Sequence, residues 1–288
     1  MSGKDLVTLS ATIRRSLIAS SLAVVGSFKP LLPVKSFPGR ALASVERRLK
    51  EARFRSPRVV PEFARLYPNA FFIQIGSNDG DQLDPLKDAI RTKNWKGILV
   101  EPVPYVFEKL KLRHGNNPRL TLENIAISKQ AGVMPFYHLR NAEEEQNLEK
   151  PPRWYDALGS FSREVVLKHE DLIPDLRERL TESNVNVTTF DALCIKNNVK
   201  QIDLIHIDTE GHDFEILKTI DFPRYRPKLV IYEHHHLNPV DRAAAQEYLR
   251  KSGYEVFEEI LDTWCLDMSQ PTFRDRHLRS LWTEGAVE

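Results

Sequence analysis

The 288-residue chain has only two cysteines, Cys194 and Cys265, too few and too far apart for a disulfide framework or a cysteine zinc cluster. Buried thiols in a reducing compartment are the expectation. Charge of one sign is also lacking, since 41 Lys and Arg face 40 Asp and Glu, which gives no reason to expect a nucleic-acid partner. Nor is there a run of the roughly 20 apolar residues that a membrane span requires; the stretch from Ser16 to Phe28 is interrupted by Ser20, Ser21 and Gly26. No long repeat or low-complexity tract is visible. The length suits one large α/β core with an appendage.

The even charge conceals an asymmetry. Residues 1–60 carry 12 Lys and Arg against 3 acids, a net of +9, and the remainder is 29 basic against 37 acidic, a net of −8. We therefore expect a basic N-terminal extension over 1–60, helical or partly disordered, with a charged helix from about Ala41 to Phe54. Peripheral contact with an acidic surface fits such a segment. Phe28-Lys29-Pro30 is a poor cleavage site for a secretory signal. A cytoplasmic location is the default, with organelle targeting by this segment left open.

The chemistry starts at Phe71–Gly80, FFIQIGSNDG. Five mostly aromatic or β-branched residues read as a buried parallel strand. The bend Gly76-Ser77-Asn78-Asp79-Gly80 then brings flexible backbone and short polar groups to the carboxyl end of that strand, where α/β sheets bind ligands. Asp84-Pro85 is expected to cap a helix running to about Arg91. Gly97–Glu101 reads as a second strand with a carboxylate at its tip. Glu101 lies 21 residues after Gly80, the interval at which an acid accepts hydrogen bonds from both ribose hydroxyls of an adenosine. Leu120–Ser128 is expected to be one strand, presenting Ile125 and Ala126 to the face of an adenine ring.

Farther on, acids and prolines between 141 and 152 and the aromatic stretch that follows point to a cap or substrate segment near 140–182. The strand Ile202–Asp208 runs into Thr209-Glu210-Gly211-His212-Asp213, and a further strand ends in Glu233-His234-His235-His236. Both tips bring acids and histidines to one sheet edge. Two closing strands, Tyr254–Ile260 and Thr263–Asp267, are expected to pair antiparallel.

Taken in order, IQIGSNDG, GILVEP, ENIAIS, IDLIHIDTEGHDFEIL and LVIYEHH resemble an S-adenosylmethionine-dependent methyltransferase of the FkbM type. The resemblance covers about Phe71 to Tyr254. It implies a class I, Rossmann-like α/β fold over residues 61–288: a mostly parallel seven-stranded sheet with a reversed last strand and helices on both faces. It also implies O-methylation of a hydroxyl on a sugar, glycan or natural-product scaffold. Gly76, Ser77, Asn78, Asp79 and Gly80 would surround the methionine end of the cofactor, Glu101 the ribose, Ile125 and Ala126 the adenine. Asp208 would lie beside the reacting groups. Many relatives carry a small or apolar residue at the position of His212, so no role for it follows from the family.

Asp208, His212 and His234 are the candidates for acid–base work, with Glu210 beside them. Asp208, Glu210, Glu233 and His234 form an alternative set for one divalent ion, which is not favoured because sequence spacing gives no ligand geometry. Two other readings stay open at this point. One is a nicotinamide-dependent oxidoreductase, although the turn lacks G-x-G-x-x-G spacing. The other is a catalytically idle binding module on the same fold.

Overall fold

The computed structural model describes residues 59–144, 151–259 and 261–283. The basic N-terminal extension and its charged helix lie outside the described residues, as do 145–150 of the cap segment. After helix α1 (Val59–Leu66), strand β1 (Phe71–Ile75) enters the centre of a seven-stranded sheet. Helix α2 (Lys87–Thr92), β2 (Lys96–Val100), α3 (Pro104–His114) and β3 (Leu120–Glu123) follow. The other half of the sheet comes from β8 (Leu204–Ile207), β9 (Leu229–Glu233), β10 (Tyr254–Glu258) and β11 (Asp262–Asp267). Its strand order is β10-β11-β9-β8-β1-β2-β3.

Neighbours from β3 to β9 are parallel, whereas β11 runs antiparallel to both β9 and β10. The order reverses between β1 and β8, so their carboxyl ends flank the switch point at which open α/β sheets bind ligands. The mostly parallel sheet and its reversed β11 are the class I methyltransferase architecture that the sequence motifs imply.

Side-chain alternation explains why the central strands are apolar but for the buried Gln74 of β1 and His206 of β8. Ile73, Ile75, Ile98, Val100, Ile205 and Ile207 pack into one core, and Phe72, Leu99, Leu204, Leu229 and Ile231 into the core on the opposite face. A strand covered on both sides needs no polar face. Among the described residues, no helix is long and apolar enough to cross a membrane.

Two expectations are corrected. Leu120–Ser128 is not one strand: β3 stops at Glu123, and β4 (Ala126–Ile127) joins a second sheet with β5 (Gly132–Leu139), β6 (Gly159–Ser160) and β7 (Leu180–Thr188) in the order β4-β7-β5-β6. The break falls at Asn124, whose side-chain amide donates to the carbonyls of Glu101 (2.8 Å) and Pro102 (3.1 Å) and so ties the chain to the tip of β2. Asp84 does not cap a helix at 85 either. Its carboxylate accepts from Gln74 Nε2 (3.0 Å) and Leu86 N–H (2.8 Å), turned inward, and the helix begins at Lys87.

Between β6 and β7 lie α4 (Arg163–Leu167) and α5 (Leu176–Arg179), over a small core of Leu139, Tyr155, Leu158, Val166, Ile173 and Leu176. Three helices follow β7: α6 (Phe190–Lys196), α7 (Asp213–Leu217) and α8 (Phe222–Tyr225). Thr189 caps α6 by accepting from Ala192 N–H, and Asn238 caps α9 (Pro239–Lys251) by accepting from Val240 and Asp241. Short polar side chains of this kind are the preferred helix N-caps. Helix α10 (Phe273–Thr283) ends the described chain.

Candidate active site

The bend after β1 is held by the strands beside it. Gly76 and Ser77 both donate to the carbonyl of Val100 at 2.9 Å, and Ser77 Oγ accepts from Val100 N–H at 3.1 Å. Asp208 N–H, at the tip of β8, donates to Ile75 at 2.9 Å. Gly76 has φ +80°, and a Cβ there would lie 1.8 Å from the carbonyl oxygen of Asp208. Only glycine permits that approach of two strand tips. Asn78 also takes a left-handed conformation, φ +47°.

Glu101 sits across the bend, buried. Its Oε2 accepts from Asn78 N–H at 3.0 Å and its Oε1 from Val103 N–H at 2.9 Å. Burial pushes its carboxyl up to about 7 against the pull of these two amides, and the nearby carboxylates of Asp208 and Asp156 add to the rise. Each carboxylate oxygen keeps a lone pair for a further donor.

These tips wall an open cleft of about 780 Å³, its mouth and adjoining solvent included. Gly76, Ser77, Asn78, Glu101, Ile125, Ala126 and Asp208 all line it. Asp79 and Gly80, expected there too, do not. Asp79 braces the bend: Oδ1 accepts from Asp81 and Gln82 N–H at 2.9 Å, and Oδ2 meets Arg113 at 3.0 Å. Burial opposes its ionisation, but these partners outweigh burial and hold the carboxyl below its usual range. Gly80 packs against α3, where a Cβ would lie 2.7 Å from the ring of His114.

The opposite wall carries Phe136, Asp156, Ala157, Gly159 and Phe161, from the second sheet and the segment before it. Asp156 was not singled out in the sequence; an acid among the aromatics Trp154, Tyr155 and Phe161 is the signal that could have found it. It accepts from Tyr105 OH (3.1 Å) and Lys109 Nζ (2.8 Å), both on α3.

The 208–213 bend delivers Asp208, Thr209 and Glu210 to the cleft. Asp213, fully buried at the start of α7, orders the bend by accepting from Thr209 Oγ1 at 3.0 Å and Gly211 N–H at 3.2 Å. Burial, together with Asp208, pushes its carboxyl up to about 7.

The histidines fall differently from expectation. His212 is not among the lining residues: its Nε2 lies 3.0 Å from Ser128 Oγ, and its ring packs 4.7 Å from that of Phe161, which does line the cleft. Burial lowers its pKa, favouring the neutral ring. His234 is completely buried beneath the sheet edge, with Nδ1 2.9 Å from Thr263 Oγ1 and Nε2 3.8 Å from Glu258, and does not reach the cleft. Of the four groups considered for an ion, Asp208, Glu210 and Glu233 can bring ligand atoms within 4.8 Å of one another, and His234 is not among them.

A family model described as the methyltransferase FkbM domain matches residues 74–256, well over half of the chain. The chain belongs to the FkbM methyltransferase family. The match spans both the Gly76 bend and the 208–213 bend.

Among solved structures, it is similar to the methyltransferase FkbM from Methylobacillus flagellatus KT, at 10% identity and TM-score 0.43, over 69% of this chain and 44% of that one. The chain thus spans under half the length of that relative. A methyltransferase from Geobacter sulfurreducens aligns at 11% identity and TM-score 0.38, over 83% of this chain and 92% of that chain. A putative caffeoyl-CoA O-methyltransferase from Staphylococcus aureus aligns at 12% identity and TM-score 0.36, over 91% and 98%. No curated protein matches.

Proposed function

We propose that this methyltransferase uses S-adenosylmethionine to methylate a hydroxyl of a sugar, glycan or natural-product scaffold. The observation that carries the reading is the meeting of the Gly76 bend, the buried Glu101 carboxylate and the Asp208 tip around one cleft. The residues fit the cofactor. Glu101 offers lone pairs to two ribose hydroxyls, Ile125 and Ala126 offer an apolar face to adenine, and the approach at Gly76 leaves room for the methionine end.

The sulfonium supplies an activated methyl group and its own leaving group. The protein's task is then to align an acceptor oxygen, which accounts for about 7–11 kcal/mol of barrier in favourable cases. Removing the hydroxyl proton during attack adds roughly 10²- to 10⁴-fold. Asp208 is the group we assign to that proton, since it lines the cleft whereas His212 and His234 do not. His212 acts as a positioning residue, through its contact with Phe161. The segment around 153–182 serves as the acceptor-facing cap, and an acceptor with hydroxyls suits a wall that mixes the Phe136 and Phe161 rings with the Asp156 carboxylate.

Incubation with methyl-labelled donor and fractionated extract, followed by identification of the labelled product, tests the reading. A labelled methyl ether supports it, and label found only on nitrogen, on carbon or in a carboxyl methyl ester overturns the acceptor class. Calorimetry with S-adenosylhomocysteine and NAD tests the cofactor, and preference for NAD would reverse the assignment.

A further inference from the structure

On the cleft's rim, three side chains from separate parts of the chain converge on one point. His169 follows α4, Glu210 lies in the bend after β8, and His236 lies in the turn after β9. Each can offer one ligand atom such that all three lie within 4.8 Å of one another. His236 Nε2 already stands 2.8 Å from Glu210 Oε2, with the side chains 5% and 7% exposed, and the rings of His169 and His236 are 5.2 Å apart.

The contact between Glu210 and His236 engages one nitrogen of one imidazole. Among the described residues, Nδ1 of His169 and Nδ1 of His236 are both buried without a hydrogen-bond partner. Buried imidazole nitrogens are costly to leave unmatched. Two nitrogens and a carboxylate that share a cation satisfy the whole group at once.

We propose that His169, Glu210 and His236 form a binding site for a late first-row divalent transition metal, with zinc as the reference ion. The donor set decides the class. Imidazole nitrogens favour zinc, iron, copper or nickel, and a two-histidine, one-carboxylate set is one they use with open positions. Magnesium and calcium take oxygen ligands instead. Tetrahedral zinc with ligands at 2.0–2.2 Å needs its donors about 3.4 Å apart, so side-chain rotations of at most about 1.4 Å complete the site.

This site differs from the oxygen set of Asp208, Glu210 and Glu233, with which it shares only Glu210. It also has a structural consequence: an ion here fastens the segment carrying His169 to the tips of β8 and β9. Because Glu210 lines the cleft, the ion would border the acceptor's place, a role that rests on the methyl-transfer reading; the metal site does not.

The test is calorimetry on the full chain after chelator treatment, titrated separately with Zn²⁺ and Mg²⁺, with Co²⁺ absorption as a second readout. We expect one Zn²⁺ per chain, Mg²⁺ at least about a hundredfold weaker, and a Co²⁺ visible spectrum of mixed nitrogen and oxygen coordination. His169→Gln and His236→Gln should each weaken Zn²⁺ binding about tenfold or more, while Asp208→Asn changes it less than about threefold. Undiminished Zn²⁺ binding by a folded His169→Gln chain overturns the site. So does loss of binding in Asp208→Asn with retention in both histidine variants, which would move the ion to the oxygen set. Melting curves of each variant separate misfolding from ligand loss, and His169, only partly buried, is the substitution least expected to unfold the chain. Parallel titration with S-adenosylhomocysteine keeps the two readings apart, because failure to bind it would sink the methyl-transfer reading and leave the metal site standing.

Discussion

Glu101 should make cofactor affinity depend on pH. The ligand-free chain holds this carboxyl at about 7, chiefly through burial, whereas an unfolded chain releases the proton near the ordinary value of 4.5. The sign follows directly. A carboxyl raised in the folded state contributes stability that is present below about 4.5 and is lost as pH climbs through about 7. Ribose hydroxyls donate to the ionised carboxylate, so binding favours the form that is scarce at pH 6 and abundant at pH 8. If only that form binds, affinity for S-adenosylhomocysteine rises about tenfold between pH 6 and pH 8, or about 1.4 kcal/mol. Calorimetry across pH 5.5–8.5 measures this. Glu101→Gln should flatten the profile and weaken binding at every pH, because one amide oxygen then faces two N–H donors that the carboxylate now satisfies together. Leaving one donor unmatched costs about 1–3 kcal/mol. A flat profile in the unaltered chain refutes the reasoning, and an unchanged slope in Glu101→Gln moves the titration to another group.

Gly76→Ala should destabilise the fold by about 3 kcal/mol or more in urea unfolding and abolish S-adenosylhomocysteine binding, since the added Cβ meets the Asp208 carbonyl at 1.8 Å in a left-handed conformation. Wild-type stability against this variant is the measurement, and a loss below about 1 kcal/mol would mean the strand tips separate easily. Asp213→Asn should gain stability relative to the unaltered chain as pH rises from 5 to 8, because the carboxyl at about 7 costs the folded state progressively more when forced to ionise. Thermal melts at both pH values check the sign, and a relative loss at pH 8 contradicts it. Once the acceptor is identified, Asp208→Asn should lower kcat about a hundredfold and His234→Ala should act mainly through stability, with kcat per folded molecule within about threefold. His212→Ala should raise KM more than it lowers kcat, consistent with its place behind Phe161.

The central strands were legible because a sheet covered on both faces demands mostly apolar runs, and β1, β2, β8 and β9 supply them, with Gln74 and His206 as buried exceptions. The tip of β2 was legible for the same reason: Glu101 ends the wholly apolar run Gly97–Val100. The second sheet was only partly visible. Leu180–Ser183 belongs to β7 but is largely polar, and Ala126 and Ile127 continue the apolar pattern of β3 across a break made by the side chain of Asn124. Such a tie is tertiary and leaves no periodicity behind. The histidines show the same limit. Sequence brought His212 and His234 to the correct edge, but whether a ring faces a cleft or a core depends on neighbours such as Ser128 and Thr263, distant in the chain. His169 gave no signal, since only folding brings it to Glu210.

The two walls of the cleft have separate origins. The donor-facing wall is made by strand tips whose backbones lock together at Gly76, and almost any change there disturbs the central sheet. The facing wall comes from β5 and from residues 156–161, anchored through a small independent core and the hydrogen bond from Ser160 to the carbonyl of Glu210. Under the proposed reading, a substitution at Phe161 should therefore alter acceptor choice more than donor binding, whereas Asp156, whose charge bears on Glu101, and Phe136, packed in one core with Ala126, couple the two walls.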